Sequence, residues 1–313
     1  MNWNGKKLLE GFLPQVIDNT PDADVIVADN ASTDGSAEWL TRNYPGMTLL
    51  RFEENLGYAG GYNAAIKRLP EYENIILLNS DAWPAQGWIK PIETMLETPG
   101  IVAVQPKILA ENDHAFFEYA GAAGGMLDRN GYPYCRGRIF DRIEEDKGQY
   151  NEAAEIFWAS GAALAVKREA YMDVGGLDTL FFAHMEEIDL CWRLKLNGGK
   201  IFYQPLSVVY HLGGGSLDAS SPRKTFLNFR NNLLMLHKNL PPGKRKRALL
   251  FRRRLLDTLA IAKFAVTGKF PHAREIVHAH NEFRKLRNNY NDFPNRDLLE
   301  EECKRNILLE RYL

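Results

Sequence analysis

The run Asn74 to Pro84, NIILLNSDAWP, constrains this chain more than any other stretch. Ile75 to Leu78 are consecutive apolar residues bounded by polar ones. A strand apolar on both faces belongs in a sheet covered on both sides, as parallel sheets are. The same grammar recurs upstream. Val25 to Ala28 and Thr48 to Phe52 read as strands, and Ser36 to Tyr44 and Gly61 to Leu69 as helices. Such repeats predict an α/β fold, a mixed sheet flanked by helices. Asn79, Ser80 and Asp81 then fall at the carboxyl end of their strand, the edge where open α/β sheets bind ligands. Asp81 is there a candidate metal or phosphate-region ligand; the plainer alternative is a residue that turns the chain.

Further along, a helix is expected over Trp88 to Leu96 and a strand over Ile101 to Val104. A Gly-rich hairpin is expected from Ala120 to Arg138, turning at Asp128 to Gly131. Phe157 to Val166 reads as a strand, Glu186 to Leu196 as a helix and Lys200 to Tyr203 as another strand. Beyond about Phe226 the pattern becomes helical, basic and amphipathic. A boundary near Lys238 divides residues 1–238, the α/β part, from 239–313.

With 313 residues, 45% of them hydrophobic, and a formal net charge of -1, the chain is long enough for one large core plus an appendage. That charge gives no reason to expect a nucleic-acid partner. The three cysteines, Cys135, Cys191 and Cys303, are far apart and lack metal-ligand spacing, which points to a reducing compartment. No apolar run approaches the roughly 18 residues of a membrane span, so a cytoplasmic protein is expected.

Asp29 and Asn30 close their strand just as Asp81 does, ahead of a polar turn into a helix. A carboxylate there can accept hydrogen bonds from a nucleobase or ribose, or it can serve an Asx turn. Glu54 to Ile66 is a Gly-rich link into a helix, in which Gly57, Gly60 and Gly61 permit close backbone approach; it is neither the dinucleotide fingerprint nor a P-loop. In Met185 to Leu194, about 100° per residue puts Glu187 on the face of Leu190, Cys191 and Leu194, with Glu186, Asp189 and Arg193 on another. An acid partly desolvated among apolar neighbours holds protons more tightly, which suits a general base acting on a sugar hydroxyl. Asp189 and Arg193, four apart, predict an intrahelical ion pair.

Taken in order, DNASTDGS (Asp29 to Ser36), ENLGYAGGYNAAI (Glu54 to Ile66), LLNSDAWP (Leu77 to Pro84) and GGLDTLFFAHMEEIDLCWR (Gly175 to Arg193) resemble family 2 glycosyltransferases of the GT-A fold, in their rhamnosyltransferase-like branch. The resemblance covers roughly Asn2 to Asn239. It implies a Rossmann-like nucleotide-diphospho-sugar transferase that is metal-dependent and inverting. Its donor would be dTDP-rhamnose or a UDP-sugar, and its acceptor a saccharide or lipid-linked glycan in bacterial surface polysaccharide synthesis. It places Asp29 and Asn30 near base and ribose, with Asn55, Gly57, Gly60, Gly61, Asn63 and Asn79 along the donor. Asp81, last residue of a DxD-type motif whose first position is here Asn79, would ligate Mg²⁺ or Mn²⁺ on the diphosphate. His211 would complete the metal shell or be structural, and Ser216 would contact phosphate. Glu186–Glu187 stands where the family has Glu-Asp, with Glu187 as base. Gly176 and Asp178 would line the acceptor loop, and Trp158 would be either a sugar-stacking wall or core. Arg230 and Asn231 match the family's tail motif, their role open. The other readings are an inactive homologue acting as a scaffold and a sugar nucleotidyltransferase.

Two expectations concern the ends. The basic helix from Lys244 suits an anionic membrane surface, at the inner face of the plasma membrane, or equally packing against the catalytic part or a second subunit in a homodimer. At the start, Asn2 to Leu9 resembles the segment that follows the family's first buried strand, so that strand is expected upstream of Met1.

Overall fold

A computed structural model describes residues 1–213 and 221–310, without the side chains of 309 and 310. Ser216 lies outside the described residues. The N-terminal part runs α1 (Lys6–Asp18), β1 (Ile26–Asp29), α2 (Ser36–Asn43), β2 (Thr48–Arg51), α3 (Gly57–Lys67), β3 (Asn74–Leu78), β4 (Ala82–Pro84) and α4 (Ile89–Leu96). Then come β5 (Ile101–Ala110), β6 (Asp113–Phe117), β7 (Gly125–Leu127), β8 (Pro133–Cys135), β9 (Arg138–Ile139), β10 (Arg142–Ile143), β11 (Ala154–Glu155) and β12 (Ala163–Lys167). The chain continues through α5 (Arg168–Asp173), α6 (Glu186–Leu196), β13 (Lys200–His211) and α7 (Pro222–Asn239). It finishes with α8 (Lys244–Val266), α9 (Phe270–Leu286), α10 (Leu298–Glu302) and α11 (Ile307–Glu310).

The main sheet has the order β11-β13-β5-β12-β3, with β4 joined to β13 and β6 to β5. β5 and β13 run parallel, while β12 is antiparallel to both β3 and β5. The hairpin turning at Asp128 to Gly131 forms as expected, with β7 against β8. Strands β5 and β13 run several residues past their expected ends. Of the strand expected over Phe157 to Val166, only the second half forms; Phe157 and Trp158 precede it as buried core.

β1 and β2 form a separate parallel pair. Between β1 and β3 lies a cavity of about 250 Å³, walled by apolar residues of α1, α3 and α4 as well as by the two strands. Met1 lines this gap, and Asn2 makes a parallel bridge to Asp29.

α6 forms with the expected bounds, but its surroundings differ from the amphipathic expectation. Glu186 and Asp189 are buried along with Leu190 and Cys191, and α7 meets the stripe at Asp189 through Lys238 and Asn239. The Asp189–Arg193 pair forms at 2.8 Å, and Lys238 of α7 joins it at 2.8 Å. Burial alone would raise Asp189, but Arg193 and Lys238 outweigh it and hold the carboxyl below its ordinary value.

The helical tail packs into the same core. Leu249, Phe283, Leu298, Leu299 and Cys303 belong to the cluster that contains Trp192 and Tyr203. Lys195 of α6 also reaches Glu302 at 3.1 Å.

Candidate active site

Two groups of polar side chains stand out, and they differ in whether their polar atoms are already used. The first follows β1. Asp29 is 1% exposed; its Oδ1 accepts from Asn2 Nδ2 at 2.8 Å and its Oδ2 from the Ser32 N–H at 3.1 Å. Asn30 donates to Asn55 Oδ1 at 2.9 Å and to the Gly57 carbonyl at 3.0 Å, and accepts from the Leu56 N–H at 3.0 Å. Asn30 and Asn55 thus clasp two loops together. α3 begins at Gly57, four residues before the expected start at Gly61. Gly60 and Gly61 therefore lie inside the helix. A Cβ at Gly61 would sit 2.9 Å from Met1 Cε, and one at Gly60 would sit 3.1 Å from Leu56 Cβ, so their smallness serves packing.

Asn63, Gly176, Asp178 and Trp158 are likewise spent on the fold. Asn63 donates to the Leu177 carbonyl at 2.7 Å and accepts from the Leu177 N–H at 2.9 Å and Tyr171 OH at 2.6 Å. A Cβ at Gly176 would lie 2.4 Å from Asn63 Oδ1. Asp178 accepts from Lys238 of α7 at 2.7 Å and from Tyr290 of the helical tail at 2.9 Å. The Trp158 ring lies against Gly125 and donates to the Met126 carbonyl at 2.9 Å. At 4% exposure it offers no stacking face, so core is the reading that the structure gives it.

The second group is different. β4 pairs with the end of β13 in antiparallel register, His211 opposite Ala82, which brings Asp81 beside His211. His211 Nε2 lies 3.2 Å from Asp81 Oδ1, and Nδ1 lies 3.4 Å from Glu118 Oε2, just past β6. All three are under a tenth exposed. Neither ring nitrogen makes an aligned hydrogen bond, so the contacts act through charge. Burial opposes a charged ring, but Asp81 and Glu118 outweigh it and push His211 up to about 10. Among the described residues no three His, Cys, Asp or Glu side chains converge as a ready metal site. Asp81 and Glu118 meet opposite nitrogens of the imidazole, and so do not share one point. A carboxylate and an imidazole side by side nevertheless fit two positions of a divalent shell, with phosphate oxygens and water filling the rest. Both ring nitrogens are buried and each faces a carboxylate, so a metal ion at His211 would stand where the proton shared with Asp81 now does.

Glu186 and Glu187 open α6, each with a buried Oε2 that has no hydrogen-bond partner. Burial pushes Glu187 up to about 7, against backbone N–H groups at the helix start that oppose the rise. Burial, followed by repulsion from Glu187, holds Glu186 well above the ordinary carboxylate range. Burial thus favours the protonated form of Glu186, while Glu187 is poised to exchange a proton near neutral pH. Glu187 faces the turn before β12: a Cβ at Gly161 would sit 3.8 Å from Glu187 Cβ and 2.7 Å from Tyr58 OH. The next residue, Ala162, accepts from the Asn79 N–H at 3.0 Å, which ties this turn to the end of β3.

Sequence reasoning passed over what holds these carboxylates. Phe182, His184 and Met185 all have left-handed φ, between 65° and 73°, immediately ahead of α6. For non-glycine residues such backbone costs on the order of 1–3 kcal/mol each and persists only where neighbours enforce it. Asn231 of α7 enforces it, donating through Nδ2 to the carbonyls of Phe181, Ala183 and His184 at 2.9, 2.8 and 2.7 Å. Arg230 adds bonds to the Leu180 and Phe181 carbonyls at 3.2 and 2.8 Å. This is the role of the pair that the sequence left open. Glu118 was missed for want of a signal: nothing in DHAFFEYAG marks it until the strands fold.

The profile described as Glycosyl transferase family 2 matches residues 2–175. A curated relative, the N-acetylglucosaminyl-diphospho-decaprenol L-rhamnosyltransferase of Mycobacterium tuberculosis, is 29% identical over 203 residues, which is 60% of this chain and 66% of that protein. The poly-beta-1,6-N-acetyl-D-glucosamine synthase of Staphylococcus aureus is 25% identical over 192 residues, spanning 60% of this chain and 42% of its own length. The chain therefore spans about two thirds or less of each. Among solved structures, S. aureus TarS 1-349 with UDP-GlcNAc matches 90% of this chain and 78% of its own, with TM-score 0.57 and 14% identity. The mannosyltransferase of Pyrobaculum calidifontis with GDP-Man and Mn²⁺ matches 92% and 81%, with TM-score 0.54 and 17% identity. At such identities the solved structures speak for the GT-A fold alone, while the sequence profile covers more than half the residues. The chain belongs to the family 2 glycosyltransferases.

Proposed function

We propose that this chain transfers a sugar, with inversion, from a nucleotide-diphosphate donor to an acceptor hydroxyl in glycan synthesis. The observation that carries the reading is the pair of carboxylates at the start of α6, each with a buried, unpartnered oxygen. Glu187, near 7 in its proton affinity, takes the acceptor proton as the acceptor oxygen attacks the anomeric carbon. Glu186, held protonated, keeps a second negative charge away from that base. One base and one direct displacement give inversion. Asp81 and His211 are the residues that would hold Mn²⁺ or Mg²⁺, which supplies positive charge for the leaving diphosphate. An imidazole beside a carboxylate favours Mn²⁺. To serve as a ligand, His211 must first give up the proton that Asp81 and Glu118 stabilise. Asp29 stands by the base and ribose, reached beside its contact with Asn2.

The donor is proposed as dTDP-rhamnose or a UDP-sugar, since a rhamnosyltransferase is among the relatives. The acceptor is proposed as lipid-linked, with α8 lying on the inner face of an anionic membrane. Phe251, Leu255 and Leu259 on one stripe are 64%, 53% and 66% exposed, and Arg252, Arg254 and Lys263 flank them. Apolar side chains ringed by cations suit the headgroup boundary. No helix among the described residues is long and apolar enough to cross a membrane. Because the tail also supplies core residues, replacing Phe251, Leu255 and Leu259 by serine tests this better than deleting the tail. Co-sedimentation with phosphatidylglycerol vesicles should fall while the melting temperature holds. Unchanged sedimentation would leave the stripe to a second subunit.

The decisive test of the chemistry is calorimetric titration of UDP, dTDP and GDP with and without Mn²⁺, for the chain and for Asp81→Ala, followed by a donor panel read by mass spectrometry. Metal-linked nucleotide binding that Asp81→Ala abolishes, with turnover of one donor, is the expected result. Nucleotide binding without turnover of any donor would favour a scaffold. Metal-independent binding would remove the role of Asp81.

A further inference from the structure

Phe181 and Phe182 are neighbours in sequence that the fold treats in opposite ways. Phe181 is wholly buried in the core, whereas Phe182 is 51% exposed. A single exposed aromatic is ordinary on a protein surface, but the backbone beneath this one is not. Phe182 has φ 65° and ψ -59°, and the Ala183 N–H donates back across it to the Phe181 carbonyl at 2.8 Å. Those angles, closed by a hydrogen bond across a single residue, make a γ-turn of the rare, strained form, with a phenylalanine at its centre. A bulky side chain at positive φ persists only where neighbours enforce it. Arg230 and Asn231 enforce it here, donating to the same Phe181 carbonyl at 2.8 and 2.9 Å. Buried hydrogen bonds therefore hold an apolar ring in water.

The ring also stands beside the candidate site. Its Cδ2 and Cε2 lie 3.5 and 3.6 Å from where a Cβ at Gly57 would be, within van der Waals reach of the start of α3. The next residue of α3, Tyr58, donates to the Gly161 carbonyl at 2.8 Å, and Gly161 is the residue that faces Glu187. Gly57 and Tyr58 thus connect the exposed ring, through Gly161, to the carboxylate whose Oε2 is bare. An aromatic face is electron-rich and attracts the polarised C–H groups on the apolar face of a pyranose, leaving the sugar hydroxyls free for polar partners.

We propose that the Phe182 ring is the stacking face for the acceptor saccharide, held out of the core by its strained turn so that a sugar hydroxyl comes to Glu187. The stacking role considered for Trp158, which is buried, falls instead to an aromatic that the fold leaves open. The proposal rests on the transferase reading, and the two fail in different measurements.

The test titrates methyl glycosides of glucose, galactose, mannose, rhamnose, N-acetylglucosamine and N-acetylgalactosamine by saturation-transfer NMR, with UDP and Mn²⁺ present. At least one should bind this chain. Phe182→Ala should weaken that glycoside about fivefold or more, while Phe182→Trp keeps it within about twofold. UDP affinity, read by calorimetry, should hold in both variants; absence of UDP binding by the unchanged chain would count against the transferase reading alone. Where Phe182→Ala does not fold, Phe182→Leu, apolar but without an aromatic face, replaces it with the same expected loss. Phe182→Gly and Phe182→Ala both remove the ring, so their difference reads the turn: the glycine variant should melt about 2 °C or more above the alanine variant. No glycoside bound by the chain, or equal binding by Phe182→Ala, would overturn the stacking face. An equal loss of UDP affinity would overturn it as well, by moving the ring to the donor. A glycine variant that melts no higher would overturn the claim that strain holds the ring out.

Discussion

Asn30 and Asn63, on one hand, and Glu186, Glu187 and His211, on the other, are all polar groups that the fold takes largely out of water, yet they end in opposite conditions. The amides find partners within the protein, loop to loop and helix to loop. The carboxylates and the imidazole keep buried atoms without an aligned partner. A satisfied buried amide stabilises by fastening two segments. An unsatisfied buried carboxylate costs stability, and sites that tolerate such a cost are where chemistry is done. The comparison sorts these residues by how the fold uses them: the asparagines fasten segments of the frame, and the glutamates and the histidine are the groups that the proposed function assigns to chemistry.

The largest effect should come from removing one charge on the unsatisfied side. Glu187→Gln keeps shape but cannot accept a proton, so turnover should fall by about 10²-fold or more while nucleotide affinity is kept. Glu186→Gln mimics the protonated acid that burial already enforces, so most turnover should survive. If the two variants exchange behaviour in steady-state kinetics, the assignment of the base is wrong.

The pH dependence follows from the same pair. Transfer needs ionised Glu187, so kcat/KM should rise about tenfold per pH unit below about 7 and level off above it. Stability should run the other way. The folded chain holds this proton more tightly than the ordinary value of 4.5, so the contribution of Glu187 is complete below that pH and is lost as pH rises through about 7. A rate profile that stays flat from pH 5 to 8 would remove Glu187 as the titrating base.

Asn231→Ala crosses the comparison, since a satisfied amide here positions the unsatisfied carboxylates. Losing it takes the side-chain donor from the Ala183 and His184 carbonyls of the left-handed loop before α6, while the Phe181 carbonyl keeps Arg230. Turnover should drop roughly tenfold, and stability by about 1–3 kcal/mol. The smallest effect on chemistry belongs to Asn63→Ala. It should cost about 1–3 kcal/mol in denaturant melts, through the unpaired backbone of Leu177, with KM for the donor unchanged. A raised KM without lost stability would return Asn63 to the substrate.

Much of this was legible in the order of residue types. Apolar runs closed by Asp29 and Asp81 gave the strands and the polar edge, because strand burial and carboxyl-end exposure are local properties of a short run. The bounds of α6 followed from periodicity and its first-turn acids. What covers a helix face is not local. The charged stripe of Glu186, Asp189 and Arg193 would be solvated on an isolated helix, and it is α7, bringing Lys238 and Asn239, that pairs with Asp189 within it. Glu118 reaches His211 only because β6 folds back on β5, and Asn231 reaches the loop before α6 from about 47 residues away. One-dimensional spacing records which groups a chain carries, but whether a buried polar atom ends paired or bare depends on which distant segment arrives to meet it.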